Sequence, residues 1–194
     1  MAAVFPHINF RREVTIGHLM LDTDSKAASL AKVNPPIRPR EDVEYLWEQL
    51  VAGNLDWVCS DHACCKHEMK VDQKKPGNIW LAKSGFGGTE YLLAALVSDG
   101  RKRGLTYNRM AALTSYNAAS RFGLPSKGDI AEGLDADLAL LDPNETWTVR
   151  AAESESQQGY TPFEGMELSG RVKTTFLRGQ RIYDGGKVIG NPIG

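Results

Sequence analysis

The chain has 194 residues, a formal net charge of −1 at pH 7 and a pI near 6.4. A charge this close to zero gives no electrostatic reason to expect nucleic acid or an anionic membrane as a partner, and no apolar run approaches the roughly 20 residues that span a bilayer. Hydrophobic residues make up 42% and charged residues 24% of the chain, which is typical of soluble globular proteins and predicts one domain or two small ones.

The first predicted elements alternate between strand and helix. Residues 13–21 (EVTIGHLML) are apolar and β-branched, which predicts a buried strand. A proline-rich connection over 22–40 follows, because consecutive prolines are incompatible with a helix. Residues 41–53 place apolar side chains on one helical face, and residues 55–61 (LDWVCSD) predict a second short buried strand.

A long loop and two helical stretches are predicted next. The loop covers residues 62–86 and is polar and glycine-containing. Residues 87–104 predict a helix with Thr89 as its N-cap. Residues 106–123 predict another helical stretch that ends at a glycine.

After Pro125 the pattern becomes that of a β-protein. Residues 136–142 (ADLALLD) form an apolar strand pattern, and residues 145–151 (ETWTVRA) alternate between polar and apolar side chains. Residues 169–190 predict strands that turn at RGQ and at DGG, and Asp-Gly is a strong hairpin signal.

This order of elements predicts two units, residues 1–124 with alternating strands and helices and residues 125–194 with strands alone. The first unit fits part of an α/β barrel or of a parallel sheet, where reactive groups gather at the carboxyl ends of the strands. Asp61 follows such a strand. A carboxylate there can accept a hydrogen bond from a metal-bound water and take its proton.

The stretch DWVCSDHACCKH (56–67) also raises the question of a metal or redox site, because it contains all three cysteines. A structural zinc site on Cys59, Cys64, Cys65 and His67 would need a second pair of ligands further along the chain, which is absent. Cysteines this close together cannot cross-link distant segments, and the chain start lacks the order of a signal peptide. We therefore predict reduced thiols in a cytoplasmic protein.

Five stretches, in the same order, resemble the cyclic amide hydrolases of the amidohydrolase superfamily, a group that contains dihydroorotases, allantoinases and hydantoinases. They are KVNPPIR (32–38), LW..L..G..DWVCSDHACC (46–65), SGFGGTE (84–90), GDIAEGLDADLALLDP (128–143) and YTPFEG....GRV..TFLRGQRIYDGG (160–186). The resemblance implies an α/β fold, the C-terminal part of a (β/α)8 TIM barrel followed by β-strands of a small β-sandwich domain. It also implies a cofactor, one or two metal ions, usually zinc.

The same resemblance implies roles for individual residues. Asp61 matches the aspartate that ends the last barrel strand and lies at the metal, where it takes a proton from the metal-bound water and passes it to the leaving nitrogen. The implied substrate-binding residues are Asn34, Pro35, His62, Cys65, Gly85 and Gly87. Dihydroorotases usually carry Asp-His-Ala-Pro-His here and allantoinases Ser-Asp-His-Ser-Pro-Cys. Since Cys65 matches the latter, a substrate like those of allantoinases or hydantoinases is favoured.

Most metal ligands of the family are missing from this sequence. The family uses a His-x-His pair on the first strand, a carboxylated lysine and two later histidines, whereas the histidines here are His7, His18, His62 and His67. His18 could bind a metal or be a hydrogen-bonded core histidine. A full barrel takes about 250 residues, so the barrel-like part here supplies roughly two strands. We therefore expect the C-terminal part of a larger enzyme.

Two hypotheses about function remain open. The first is metal-dependent hydrolysis of a cyclic amide, at a C–N bond other than a peptide bond, with Asp61 as acid and base. The second is a non-catalytic fragment or interaction subunit that lacks its own metal site. In both cases the strand edges of an unclosed barrel would be exposed, which predicts either a homo-oligomer or pairing with a missing N-terminal half.

Overall fold

The computed structural model describes residues 4–5 and 7–192 of the chain. Its strands are β1 (Glu13–Thr15), β2 (Trp57–Cys59), β3 (Leu138–Thr148), β4 (Glu167–Leu177), β5 (Gln180–Asp184) and β6 (Lys187–Val188). Its α-helices are α1 (Ile16–Met20), α2 (Arg40–Val51), α3 (His67–Lys70), α4 (Thr89–Lys102), α5 (Tyr107–Ala111) and α6 (Asn117–Phe122). A π-helical turn, Ala112–Tyr116, joins α5 to α6, and short 3₁₀ turns occur at Ala28–Ala31 and Ala151–Glu153.

The first sheet consists of β1 and β2, which pair in parallel. The prediction of one strand over residues 13–21 is wrong beyond Thr15, where α1 begins. Thr15 is the N-cap of α1, since its side-chain oxygen accepts a hydrogen bond from the His18 backbone N–H. Ile16 and Leu19 are buried in this helical turn. Apolar content alone could not distinguish a buried strand from a buried helical turn here.

Helix α2 confirms the predicted amphipathic face. Val43, Trp47 and Leu50 are its buried residues, and Trp47 donates a hydrogen bond from Nε1 to the Leu19 carbonyl oxygen at 2.8 Å. This contact fixes α2 against α1 directly after the first strand.

The segment between β2 and α4 is mostly loop, as predicted, but it contains the short helix α3. Thr89 is the first residue of α4 rather than its cap: Gly88 occupies the cap position without a side-chain hydrogen bond. Gly123 ends α6 in the left-handed conformation, with φ 68°, which confirms the predicted stop.

The second sheet is antiparallel, with the strand order β3-β4-β5-β6. The two strands predicted over 136–151 form the single strand β3, whose register with β4 shifts between Asp142 and Thr146. Arg178 and Gly179 both have positive φ in the first hairpin turn, and Gly185 and Gly186 do so in the second. Two successive residues of this kind are typical of type I′ turns, which confirms both predicted hairpins.

One continuous cluster of buried side chains connects the two sheets. Ile16, Leu50 and Leu96 belong to it together with Val149 and Leu168. The α/β character of the prediction is therefore confirmed, while the division at residues 124 and 125 stays a prediction. Among the described residues, none of the helices is both long and apolar enough to cross a lipid bilayer.

Candidate active site

Asp61 lies two residues beyond the end of β2. Its backbone has φ 48°, a left-handed conformation that aspartate tolerates better than most residues other than glycine. Asp61 is exposed, whereas Trp57 and Val58 in the strand before it are buried. The order of a buried strand followed by an exposed carboxylate is the one predicted for a proton-transfer group.

His62 connects the end of β2 to the start of α4. It forms a parallel β-bridge with Phe86, and its Nδ1 accepts a hydrogen bond from the Thr89 backbone N–H at 3.4 Å. With Nδ1 as the acceptor, the neutral ring carries its proton on Nε2. His62 can therefore offer an N–H donor to a ligand.

Gly85 and Gly87 allow the glycine-rich loop (residues 83–88) to approach residues 61–63 closely. Gly85 has φ 96°, and a Cβ atom there would lie 2.4 Å from the Ala63 carbonyl oxygen. A Cβ atom at Gly87 would lie 2.9 Å from His62 Cε1. Side chains at either position would push the loop away from the end of β2.

Gln158 is a site residue that the sequence interpretation missed. Its side chain is 3% exposed, and its Oε1 accepts a hydrogen bond from the Gly87 N–H at 2.9 Å. Its carbonyl oxygen accepts another from the His67 N–H at 2.9 Å. Gln158 thus joins the glycine-rich loop to α3, and its short polar surroundings in the sequence gave no signal of this role.

Asn34 and Pro35 lie beside the same loop. The Asn34 side-chain amide donates to Ser84 Oγ at 3.1 Å, and the Pro35 carbonyl oxygen accepts from His18 Nε2 at 2.9 Å. His18 Nδ1 lies 2.5 Å from Thr15 Oγ1. Both ring nitrogens of His18 are therefore hydrogen-bonded, which favours the structural interpretation of His18 over metal binding.

Cys65 lies next to a buried phenol. Burial raises the pKa of Tyr160, and the nearby Cys65 and Cys64 raise it further. Cys65 is half-buried and Cys64 is exposed. The predicted substrate contact of Cys65 stays a prediction.

Lys70 is a second residue that the sequence interpretation missed. It is 0% exposed, and its Nζ donates hydrogen bonds to the carbonyl oxygens of Lys32, Lys83 and Gly85 at 2.9, 2.7 and 2.7 Å. Burial lowers the pKa of Lys70 to about 8. A lysine close to other polar residues is usually exposed, so the sequence gave no reason to choose Lys70 as a site residue.

The residues of the site do not by themselves fit a complete metal centre. Within the part of the chain that the structure describes, no three or more His, Cys, Asp or Glu side chains are grouped so that they could hold a metal ion. Asp61 could supply one carboxylate, whereas a zinc site takes three or four protein ligands.

The fold agrees with comparisons to known proteins. Residues 14–182, most of the chain, match the Amidohydrolase family. The chain belongs to the amidohydrolase family. This confirms the resemblance predicted from the five sequence stretches.

Relatives within this family are allantoinases and hydantoinases. The allantoinase of Rubrobacter xylanophilus is 42% identical over 184 residues, covering 93% of this chain and 40% of the relative. A Salmonella newport allantoinase is 36% identical over 170 residues, covering 86% of this chain and 36% of the relative. The chain thus spans about two fifths of the length of these amidohydrolases.

Solved structures agree with this assignment. The L-hydantoinase (dihydropyrimidinase) from Arthrobacter aurescens has a TM-score of 0.89 and 32% identity, covering 96% of this chain and 42% of the hydantoinase. The D-hydantoinase (dihydropyrimidinase) from Thermus sp. has a TM-score of 0.88 and 31% identity, covering 98% of this chain and 43% of the D-hydantoinase chain. The arrangement of sheets and helices is therefore that of a substantial part of an amidohydrolase.

Proposed function

We propose that this chain is part of a hydrolase that opens a cyclic amide by adding water across a C–N bond, with a substrate like those of allantoinases or hydantoinases. The observation that carries the proposal is the exposed Asp61 carboxylate at the end of β2. Among the described residues, no hydrogen bond or ion pair engages that carboxylate. It is therefore free to exchange a proton with water and substrate. The identity to allantoinases supports the choice of reaction.

Asp61 acts in this proposal first as a base and then as an acid. It accepts a proton from the water that attacks the amide carbon and delivers that proton to the ring nitrogen as the C–N bond breaks. Positioned proton transfer of this kind typically accelerates a reaction by about 10²- to 10⁴-fold. Asp61 lies beyond the β2 pairing, which ends at Cys59, and is exposed.

Asn34 and His62 are the proposed polar contacts to the ring. A cyclic amide presents both carbonyl acceptors and N–H donors, and the Asn34 amide can pair with either. His62 offers Nε2–H to a carbonyl oxygen. Pro35, Cys65, Gly85 and Gly87 are proposed to complete the wall of the pocket, with the two glycines permitting close approach of the ring.

The proposed architecture is the C-terminal part of a (β/α)8 barrel with strands of a β-sandwich. The parallel pairing of β1 with β2 and the TM-score to the L-hydantoinase support it. In the complete enzyme, one or two zinc ions would be held mainly by residues outside this chain. Such an ion would polarise the amide carbonyl.

Two further features of the complete protein are proposed. Within the described part of the chain, β1 and β2 pair only with each other, and their open edges support a homo-oligomer or an N-terminal half that covers them. The three cysteines are free thiols, which supports a cytoplasmic protein.

A second candidate is a non-catalytic interaction subunit. The lack of a metal-holding group among the described residues favours it. In that case the chain would pack against a complete homologue, and Asp61 would have no proton to transfer.

A panel of ring amides separates the two candidates. We would incubate the zinc-supplied protein with allantoin, hydantoin, dihydrouracil and dihydroorotate, and detect the added water by mass spectrometry. The first proposal predicts ring opening of allantoin or hydantoin by the complete protein. It is wrong if the complete, metal-loaded protein opens none of these rings. Stoichiometric zinc and turnover in the 194-residue chain alone would refute the second candidate.

A further inference from the structure

The buried ammonium of Lys70 connects the separate segments that surround the candidate site. Its first acceptor, the Lys32 carbonyl, lies two residues before Asn34. Its other two acceptors, the carbonyls of Lys83 and Gly85, lie at the start of the glycine-rich loop. All three donors of the ammonium group are therefore used by backbone oxygens, and none is left for solvent.

Neighbouring hydrogen bonds make the same connection. The Gly85 N–H donates to the Lys32 carbonyl at 2.9 Å, and the Lys83 N–H donates to the Lys70 carbonyl at 2.9 Å. Lys32 Nζ donates to the Ala82 carbonyl at 2.7 Å. These contacts lie between irregular segments, where no regular ladder of backbone hydrogen bonds fixes the geometry.

We propose that Lys70 is a positioning residue, whose ammonium holds the segment with Asn34 and Pro35 and the loop with Gly85 and Gly87 in one arrangement beside Asp61. This inference rests on the proposed function only in taking those segments as the substrate pocket. The hydrogen-bond arrangement itself is independent of the reaction.

The energetics of Lys70 agree with a positioning role. Burial lowers its pKa to about 8, and the Lys32 ammonium acts in the same direction, while Cys65 acts in the opposite one. An exposed lysine keeps its proton to about pH 10.4. Below about pH 8 the folded protein therefore holds this charge at a cost in stability. The cost decreases above that pH and disappears as the pH passes the pKa of lysine in the unfolded chain, about 10.4. The three directional hydrogen bonds made at this cost support a role of the Lys70 ammonium in setting geometry.

Hydrogen exchange tests the proposal on the full chain at pH 7. Lys70→Met keeps the length of the side chain and removes its donors, so that each of the three carbonyls loses its hydrogen bond to the ammonium. We expect exchange to become at least about tenfold faster in peptides covering 32–36 and 83–88, and to stay unchanged in β3 and β4. Lys74→Met, at an exposed lysine, is the matched control and should change neither region. Unchanged exchange in both loops, or equal acceleration throughout the chain, would overturn the proposal.

A measurement on the unmodified protein covers the case in which Lys70→Met does not fold. Nitrogen-15 NMR of the lysine side chains should find one ammonium whose protons exchange slowly and whose pKa is near 8. Cys65→Ser should lower that pKa further, since Cys65 raises it. A chain in which every lysine titrates as an exposed lysine would refute the buried ammonium.

Kinetics of an active form then give a separate readout. Because Lys70 acts through the pocket walls, Lys70→Met should raise KM more than it lowers kcat. A fall in kcat with KM unchanged would contradict the positioning role. If the protein opens no ring amide, the exchange and NMR results still decide whether Lys70 orders the two loops, so the inference and the proposed function fail separately.

Discussion

Cys59 and Cys64 differ in reactivity because of their surroundings, although they lie five residues apart. Cys59 is half-buried at the end of β2. Burial raises its pKa to about 12, and the Glu13 carboxylate adds to the effect. Because the thiolate is the reactive form of cysteine, Cys59 is held in its inert thiol form at neutral pH.

This contrast predicts selective alkylation. Iodoacetamide at pH 8 should modify the exposed Cys64 at least about tenfold faster than Cys59, because a pKa near 12 leaves almost no thiolate at that site. Peptide mass spectrometry over a time course measures both rates in one sample. Cys64→Ser should remove the fast reaction. Equal rates at the two cysteines would contradict the assigned environment of Cys59.

At the same scale, the sequence predicted the residues that belong to a recognisable motif and missed those that act through the backbone. Asp61, His62 and the two glycines were predicted as site residues because each lies within a short characteristic stretch. Gln158 and Lys70 contact partners 71 and 38 residues away. Such contacts depend on the final course of the chain, which no local pattern encodes.

Helices and strands were predicted well where a local sequence signal marks their end. They were predicted poorly where the only signal was a run of apolar residues. The stop at Gly123 and both hairpin turns follow from backbone conformations that glycine favours. Residues 13–21 are apolar throughout, so their division into β1 and α1 depended on the Thr15 cap. The π-helical turn between α5 and α6 is accompanied by a hydrogen bond from Thr114 Oγ1 to the Met110 carbonyl. This turn of five residues is too short to be predicted from the spacing of apolar side chains.

The glycine-rich loop gives a prediction at this scale. Gly85→Ala should lower the free energy of unfolding by about 1–3 kcal/mol, because alanine is strained at φ 96° and its Cβ would collide with the Ala63 carbonyl oxygen. Urea unfolding measures the change. Gly77→Ala is the control, since nothing lies within 4 Å of a Cβ atom at Gly77. Equal stability of the two variants would show that the loop does not depend on this close approach.

Across the described residues, a single core holds the β1–β2 sheet and the antiparallel sheet together. Helix α4 contributes Leu96 and Val97 to that core, and β4 contributes Leu168. The Ser169 N–H also donates to Ser98 Oγ at 3.1 Å. The sequence predicted the change from alternating elements to strands near Pro125, but not that the two parts share a core, because packing between distant elements leaves no local signature.

We propose that Asp61 transfers the proton in ring opening, and one substitution in the active protein tests this role. Asp61→Asn keeps the shape of the side chain and a residue type that tolerates the left-handed backbone, but it removes the group that carries the proton. Activity towards the best ring amide of the panel should be compared with that of Asp24→Asn, an exposed aspartate outside the site. We predict that Asp61→Asn lowers kcat by at least about 10²-fold with stability unchanged, while Asp24→Asn keeps full activity. An Asp61→Asn variant as active as the unmodified protein would rule out proton transfer by Asp61.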